Sequence, residues 1–465
     1  MSKLIIAEKP SVAKSIASAL GASSRADGFY EGSGLIVSWC VGHLVSPLDA
    51  GGYDERFKKW RYEDLPILPE PFRYAPIPGK EAALDNVKRL MAREDVTEIV
   101  NACDAGREGE LIFRLVYEMT GCRKPVLRLW ISSMEDSAIR EGFSELRPGA
   151  DYEALYQSAL CRQKADWLVG INATRLFSVL YHRTLNVGRV QTPTLSLLAA
   201  RDAKIALFQK EKYHHVRLTL AGAEAVSERF TDPAEAEQAA AMRKGATVTC
   251  TSVTCEQKKE QPPKLYDLTT LQREANRLLG YTAKQTLDYA QSLYEKKLLT
   301  YPRTDSRYLT SDMAETASCV IHLAAKLPPF DGCTNFFPLV EAMASDKDVS
   351  DHHAIIPTLE IEKADIPALP LGERELLLLI CCRLLCASAE PYVYEAVTAT
   401  FGCGGHSFTA KGRRVLSEGW REIDRIFRAS LKEKPADGDG GTLPDFTEGQ
   451  TFDGAEVSVT EHFTQ

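Results

Sequence analysis

Two short apolar runs, each leading through acidic residues into a helical pattern, constrain the fold of this sequence more than any other feature. Leu4-Ile5-Ile6-Ala7 reads as a buried strand; Glu8 and Pro10 follow, then a helical spacing of Val12, Ile16, Ala17 and Leu20 that stops at Gly21. Thr97 to Ala102 is a second strand and Glu110 to Met119 a second helix. Two strand-to-helix turns of this kind imply a parallel α/β domain with its site at the carboxyl ends of the strands. Glu8 and Asp104 are then expected at neighbouring strand tips, with Glu108 on the turn entering the second helix. Three carboxylates at one sheet edge make a hard oxygen site suited to Mg²⁺ with retained waters. An Asp-x-x-x-Glu spacing alone also suits a solvated helix face, and its position directly after a buried strand is what favours the metal reading.

Residues 148–208 read as mostly helical, interrupted from Asn186 to Pro193. There Gly188, Arg189, Gln191, Thr192 and Thr194 combine a glycine turn, a guanidinium and small hydroxyls that suit a phosphate. A tight loop with an exposed arginine is the plainer alternative. Residues 213–256 alternate as strands, and 269–299 are helical with Leu271, Ala275, Leu278 and Leu279 on one face. Strands return at 397–401 and 408–411 and run into a Gly/Asp-rich loop at 436–441. The helical stretch therefore interrupts a β segment, and Tyr301 travels with it as a movable module.

At 465 residues the chain has room for about three domains at roughly 150 residues each. The apolar run before Glu8 is too short for a secretory signal, and the run 376–382 stops at Arg383, too short to span a bilayer. Twelve cysteines contain no Cys-x-x-Cys pair, which argues against a zinc ribbon or thioredoxin-type site and for a reducing, cytoplasmic setting. A net charge of −8 argues at first against a nucleic-acid partner, but the charge is segregated. Residues 161–215 carry +6 and 258–307 carry +4, leaving −18 elsewhere, which suits a polyanion track on one surface. Solvated helix faces are the alternative for either run. No Gly-x-x-x-x-Gly-Lys-Ser/Thr loop is present, so no ATP site is expected.

Against this frame stands Tyr301-Pro302-Arg303-Thr304-Asp305-Ser306. A phenol with a pKa of about 10 is a poor nucleophile at neutral pH and needs a cation beside it, together with a stabiliser for charge developing on phosphate. Arg303, two residues on, can supply both. A carboxylate metal site paired with a tyrosine nucleophile is what breaking and rejoining a phosphodiester requires.

The ordered motifs Ile6 to Ser11, Asp104 to Glu110, Arg162 to Asn172, Gly188 to Thr194, Leu299 to Ser306 and His352 to Pro357 together resemble the type IA DNA topoisomerase family, in its bacterial topoisomerase III branch. The resemblance implies a multidomain α/β, α and β fold. Its parts are a Toprim α/β domain at 1–150, a helical domain beginning at 151–207, a β domain split between 208–264 and 388–465, and a helical domain with the nucleophile at 265–387, closed into a toroid. It implies an ATP-independent isomerase that cuts one DNA strand through a 5′-phosphotyrosyl intermediate, passes a strand and religates, acting as a monomer on single-stranded or unwound DNA. Residue by residue, it makes Tyr301 the nucleophile, Arg303 the phosphate-stabilising arginine, Glu8 the acid near the scissile phosphate and Lys9 its phosphate-binding or proton-assisting neighbour. His352 becomes the motif histidine, and Glu8, Asp104 and Glu108 the Mg²⁺ carboxylates. Arg162, Asp166, Arg189, Gln191, Thr192 and Thr194 become DNA contacts.

Two departures stand out. Gly106 replaces the middle carboxylate of the family's acidic triplet, favouring one Mg²⁺ over two. Family members also continue past Gln465, so an N-terminal or incomplete core with impaired strand passage is expected. Tyr281, Tyr289 and Tyr294, among basic residues, are candidates for stacking bases, with a core position the commoner role for Tyr at helical spacing. A metal-dependent nuclease or primase and a non-catalytic DNA-binding protein are the other classes to separate; neither needs Tyr301.

Overall fold

A computed structural model describes residues 1–333, 339–349, 352–431 and 443–464; the expected Gly/Asp-rich loop at 436–441 lies outside the described residues. The chain forms two compact units, one of residues 1–202, 266–309 and 346–377, the other of 203–265, 310–345 and 378–465.

The first unit is built on β1 (Ser2–Ala7), α1 (Pro10–Leu20), β2 (Ser24–Ala26), β3 (Phe29–Gly32), β4 (Leu35–Trp39), a small antiparallel pair of β5 (Val45–Pro47) and β6 (Tyr74–Pro76) flanking the short α2 (Ala50–Tyr53), then α3 (Glu81–Met91), β7 (Val96–Ala102), α4 (Arg107–Thr120), β8 (Val126–Arg128), α5 (Asp136–Ser144), β9 (Arg147–Pro148), α6 (Glu153–Leu180) and most of α7 (Gln191–Ala206). Seven strands lie in the order β2-β3-β4-β1-β7-β8-β9, with β4, β1, β7 and β8 parallel. Alternation along β1 decides the layering. Leu4 and Ile6 pack with Leu84, Val87 and Leu90 of α3 and Leu111 and Leu115 of α4. Ile5 and Ala7 pack on the opposite face with Val12 and Ile16 of α1 and Ile139 of α5. Each such aliphatic side chain taken from water contributes about 1.5–3 kcal/mol. Gly21 ends α1 in the left-handed conformation (φ 79°) with its N–H on Ser18 O, as the glycine stop requires. From β1 the chain crosses toward β4, and from β7 toward β8, so the order reverses between β1 and β7. The carboxyl ends of those two strands flank the natural ligand crevice of an open parallel sheet.

Beyond the sheet, the helices Leu268–Leu279 and Ala283–Glu295 divide the expected single helical stretch at Gly280 (φ 73°), and each opens with a capping box, Asp267/Thr270 and Thr282/Gln285. The interruption expected at Asn186 to Pro193 ends earlier: α7 begins at Gln191, and Pro193 sits in its first turn, where a missing N–H costs nothing.

The second unit holds an antiparallel seven-stranded sheet of β10 (Lys212–Leu220), β11 (Ala223–Ser227), β12 (Val248–Glu260), β13 (Tyr392–Cys403), β14 (His406–Ser417), β15 (Thr451–Phe452) and β16 (Glu456–Phe463), ordered β15-β12-β13-β14-β11-β10-β16. Val216, Leu218 and Leu220 of β10 point into a core with Ala399, Phe401 and Phe408. The expectation of strand throughout 213–256 misses the helix Pro233–Ala241, which Asp232 caps by accepting from Ala234 N. Alanine-rich stretches favour helix regardless of alternating neighbours. Among the described residues no helix is long and apolar enough to cross a membrane.

Candidate active site

The site grows from the crevice between β1 and β7. Their register pairs Ala7 with Ala102, so Glu8 and Asp104 leave adjacent strand ends, and both are nearly buried. The loop carrying Asp104 is clasped from below by Arg128, which is 1% exposed. Its guanidinium donates to the carbonyls of Asn101 (3.1 Å), Cys103 (2.7 Å), Leu129 (2.9 Å) and Asp104 (2.8 Å). Its Nε faces Glu110 Oε2 at 3.2 Å, and Glu110 also accepts from Asn101 (2.8 Å) and Arg114 (2.9 Å). A Cβ on Gly109 would stand 2.1 Å from Asp104 O, so only glycine lets α4 start this close beneath Asp104. Gly106 is different: its φ of 161° is extended backbone, and no heavy atom lies within 4 Å of an added Cβ.

Tyr301 reaches this edge from the segment after helix Ala283–Glu295. That segment is zipped to residues 352–357: Thr300 N donates to Ile356 O (3.0 Å), Ile356 N to Thr300 Oγ1 (3.0 Å), and Thr304 Oγ1 to His352 O (2.9 Å). Tyr301 N then donates to Ser132 O at 3.1 Å. The phenol Oη donates to Asp104 Oδ2 at 3.3 Å and accepts from Arg303 Nη1 at 3.4 Å, while Arg303 Nη1 lies 3.7 Å from Asp104 Oδ2. The ring packs tilted on His352 (centroids 4.5 Å) and edge-on to Tyr294 (5.4 Å). His352 Nε2 donates to Ala105 O, and its Nδ1 pairs with Ser132 Oγ at 3.1 Å. Its neighbour His353 bonds elsewhere, to Ala354 O, consistent with adjacent side chains on extended backbone facing apart.

The electrostatics follow from burial. Desolvation, then the Asp104 charge, push Glu8 up to about 7 against the pull of Arg303 and Lys9. Asp104 is raised by burial, opposed by Lys9 and Arg303. Burial and Asp104 raise the Tyr301 phenol, and Arg303 pulls it down. The site therefore holds two carboxylates that oppose each other's ionisation beside a phenol whose one guanidinium partner favours its anion.

Not every expected residue joins them. Glu108 sits on the first turn of α4, half-exposed, where His43 (3.8 Å) and Arg162 (2.7 Å) hold its carboxyl below the usual range. Among the described residues no three His, Cys, Asp or Glu side chains converge as a metal site, and of the three expected carboxylates Glu8 and Asp104 are the ones at the strand tips. That pair fits a divalent cation, because a cation would offset the burial that raises both groups and the Asp104 charge that adds to it at Glu8. Arg162 approaches Asp166 (3.9 Å), which accepts from Arg189 at 2.6 Å. These three, with Gln191, Thr192 and Thr194, are exposed. Thr192 Oγ1 accepts from Gly188 N (3.0 Å) and Thr194 Oγ1 donates to Val190 O (2.9 Å), so both hydroxyls shape the turn. The helix α6 is fixed in place by Asn172, paired both ways with the Ile67 backbone (2.6 and 3.0 Å), and by Trp167 Nε1 on Leu48 O (3.0 Å). Tyr294 is a core residue against Tyr301, not a base platform. Tyr281 is engaged by Glu375 and by Tyr289.

Sequence reasoning missed Ser132, Arg128 and Glu110. An arginine inside the short strand Val126–Arg128 and an i,i+4 Glu110–Arg114 pair on an apolar helix were the available signals.

Comparison with known proteins shows the family and the fold. A Toprim domain model matches residues 3–134, and a DNA topoisomerase family model matches residues 150–465. The chain belongs to the DNA topoisomerase family. Among its relatives, this family member is 40% identical to DNA topoisomerase 3 of Bacillus subtilis (strain 168), over 97% of the chain and 63% of that protein. It is 41% identical to DNA topoisomerase 3 of Shouchella clausii (strain KSM-K16), over 90% of the chain and 59% of that protein. The chain thus spans about three-fifths of the length of these topoisomerase relatives. Its fold is that of a type IA topoisomerase: full-length topoisomerase I from Thermotoga maritima superposes with a TM-score of 0.74 at 24% identity, over 99% of this chain and 72% of that one.

Proposed function

We propose that this chain carries out ATP-independent cleavage and rejoining of single-stranded or unwound DNA, with Tyr301 as nucleophile. The observation that carries the reading is the meeting of Tyr301 Oη with Asp104 and Arg303 at the one sheet edge where such folds bind ligands. Attack by Tyr301 oxygen on a phosphodiester forms a 5′-phosphotyrosyl bond and releases a 3′-hydroxyl, and return of that hydroxyl reforms the diester and frees the phenol. Arg303 stabilises first the phenolate and then the charge on the phosphate. Lys9 binds the phosphate. Glu8 keeps a proton up to about pH 7 in the cation-free site; with a cation bound it is a ligand, and Lys9 is the group that assists proton transfer to the leaving 3′ oxygen. Asp104 accepts from the phenol, and His352 and Ser132 set the ring. Strand passage, relaxation of negative supercoils and decatenation are the activities to which this chemistry belongs. Residues 1–150 form the Toprim part, 151–207 and 265–387 the helical parts, and 208–264 with 388–465 the β part. Arg162, Asp166, Arg189, Gln191, Thr192 and Thr194 form the strand track, the protein works as a monomer, and its setting is cytoplasmic.

Mg²⁺ would be held by Glu8 and Asp104, where it supplies positive charge beside the phosphate. Glu8 must lose its proton to bind it, so Mg²⁺ and protons compete. The expected result of calorimetric titration is Mg²⁺ affinity that rises as pH passes upward through about 7, with proton release near pH 6 that disappears by pH 8. Without cation the folded state binds more protons than the unfolded chain between about 4.5 and 7, so stability falls as pH rises through that window. In the same titration Gly106→Asp, which the open space at Gly106 admits, is expected to tighten Mg²⁺. Affinity that is independent of pH and unchanged in Gly106→Asp would remove the cation from these residues.

The test against a nuclease is direct. With an end-labelled single-stranded oligonucleotide and Mg²⁺, Tyr301→Phe is expected to abolish strand breakage while oligonucleotide binding persists. Continued breakage by the variant would assign the carboxylates to a hydrolytic reaction.

A further inference from the structure

Lys9, the proposed phosphate ligand, is already occupied. Its Nζ donates to Glu295 Oε1 at 2.8 Å, and the other oxygen of the same carboxylate accepts from Ser11 Oγ at 2.9 Å. Gln291 Nε2 adds a bond to Oε1 at 3.1 Å, and both members of the ion pair are about one-quarter exposed. Lys9 and Ser11 belong to the start of α1 on the sheet, whereas Glu295 ends the helix that leads into Tyr301. A second ion pair, Lys297 to Asp136 at 2.5 Å, joins the same two pieces. The nucleophile-bearing segment is therefore fastened to the sheet by a carboxylate seated on the ammonium that a phosphate would need.

We propose that Glu295 and the DNA phosphodiester compete for Lys9, so that phosphate engagement releases one of the contacts holding the Tyr301 segment to the sheet. Glu295 is then a positioning residue: it acts on DNA only through Lys9. The ammonium has three donors but a single charge, and an anion of the backbone neutralises it as well as the carboxylate does. On release Glu295 keeps Ser11 and Gln291 as partners, so its carboxylate is not left bare. The inference rests on the reading of Lys9 as a phosphate contact.

The experiment measures affinity of the 465-residue chain for a fluorescent single-stranded oligonucleotide in EDTA, in a Tyr301→Phe background that cannot cleave. Glu295→Gln keeps the shape and the Ser11 bond but removes the charge. It is expected to tighten binding about fivefold, which is about 1 kcal/mol at 1.4 kcal/mol per tenfold. Lys9→Ala is expected to weaken binding, and in that background the gain from Glu295→Gln should vanish, since the two residues act as one coupled pair. Ser11→Ala, which leaves the Lys9 ion pair in place, should bind as the parent does. Amide exchange across 296–301 should rise in the parent on adding oligonucleotide and be raised beforehand in Glu295→Gln. Weaker binding by Lys9→Ala with no gain from Glu295→Gln would overturn the competition alone. A gain that persists without Lys9 would mean simple removal of a repelling charge, and a gain from Ser11→Ala would mean general loosening; either overturns it. Unchanged binding by Lys9→Ala would overturn the phosphate reading and the competition with it.

Discussion

Arg128→Ala is expected to destabilise the first unit by about 3–5 kcal/mol, the cost of breaking a buried ion pair from one side. Four carbonyls, including that of Asp104, lose a donor, with Asn101 O keeping Leu129 N as a backbone partner, and the Glu110 carboxylate, 1% exposed, is left with Asn101 and Arg114. Arg128→Lys should recover only part of this, because a single ammonium cannot reach four carbonyls and a carboxylate as a guanidinium fork does. Global unfolding of a two-unit chain need not be two-state, so the measurement is amide exchange of β7, the strand that Arg128 supports. Arg128→Ala with Glu110→Ala should cost less than the sum of the two, since the two residues form one buried pair and each single change removes that same contact. Loss of less than about 1 kcal/mol in Arg128→Ala would show that the clasp contributes little.

Arg303→Ala is expected to slow covalent capture of DNA about 10²- to 10³-fold under single-turnover conditions, the usual effect of removing one preorganised donor from a developing charge. The guanidinium lies within 3.4 Å of Tyr301 Oη, and it opposes the burial and Asp104 charge that raise the phenol. Its removal therefore raises the phenol further, and the rise of rate with pH should move to higher pH. Arg303→Lys keeps a positive charge without the fork and should lie between the two. Oligonucleotide affinity, carried by several other cations, should change far less than the rate. A loss below threefold, or one wholly in affinity, would leave Tyr301 without its activator.

What the sequence made legible was local and periodic. The runs at β1 and β7, each followed by an acidic residue, specify a parallel sheet and the tips where Glu8 and Asp104 emerge, because strand burial and helix entry are written in neighbouring residues. Tyr301 and Arg303 were legible as a short motif. What stayed hidden depended on contacts far apart in the chain. Nothing near Arg128 indicates that its guanidinium threads back to the Asp104 loop, and nothing near Ser132 indicates that it holds both Tyr301 N and His352 Nδ1. The spacing marks Glu108 but not the neighbour it meets: α6 packs on α4 and brings Arg162 against it. Tyr294 looked available among basic residues, and only the fold of the segment before Tyr301 turns it inward. The helix Pro233–Ala241 was overlooked because alternating strands surround it.

The central claim is tested most directly by denaturing the protein after incubation with a single-stranded oligonucleotide carrying a 3′ label, digesting it, and sequencing the labelled peptide by mass spectrometry. The expected result is one peptide containing Tyr301, joined through its phenolic oxygen to the 5′ phosphate of the retained fragment and absent from Tyr301→Phe. Attachment at another residue, attachment to a 3′ phosphate, or cleavage with no covalent product would contradict it.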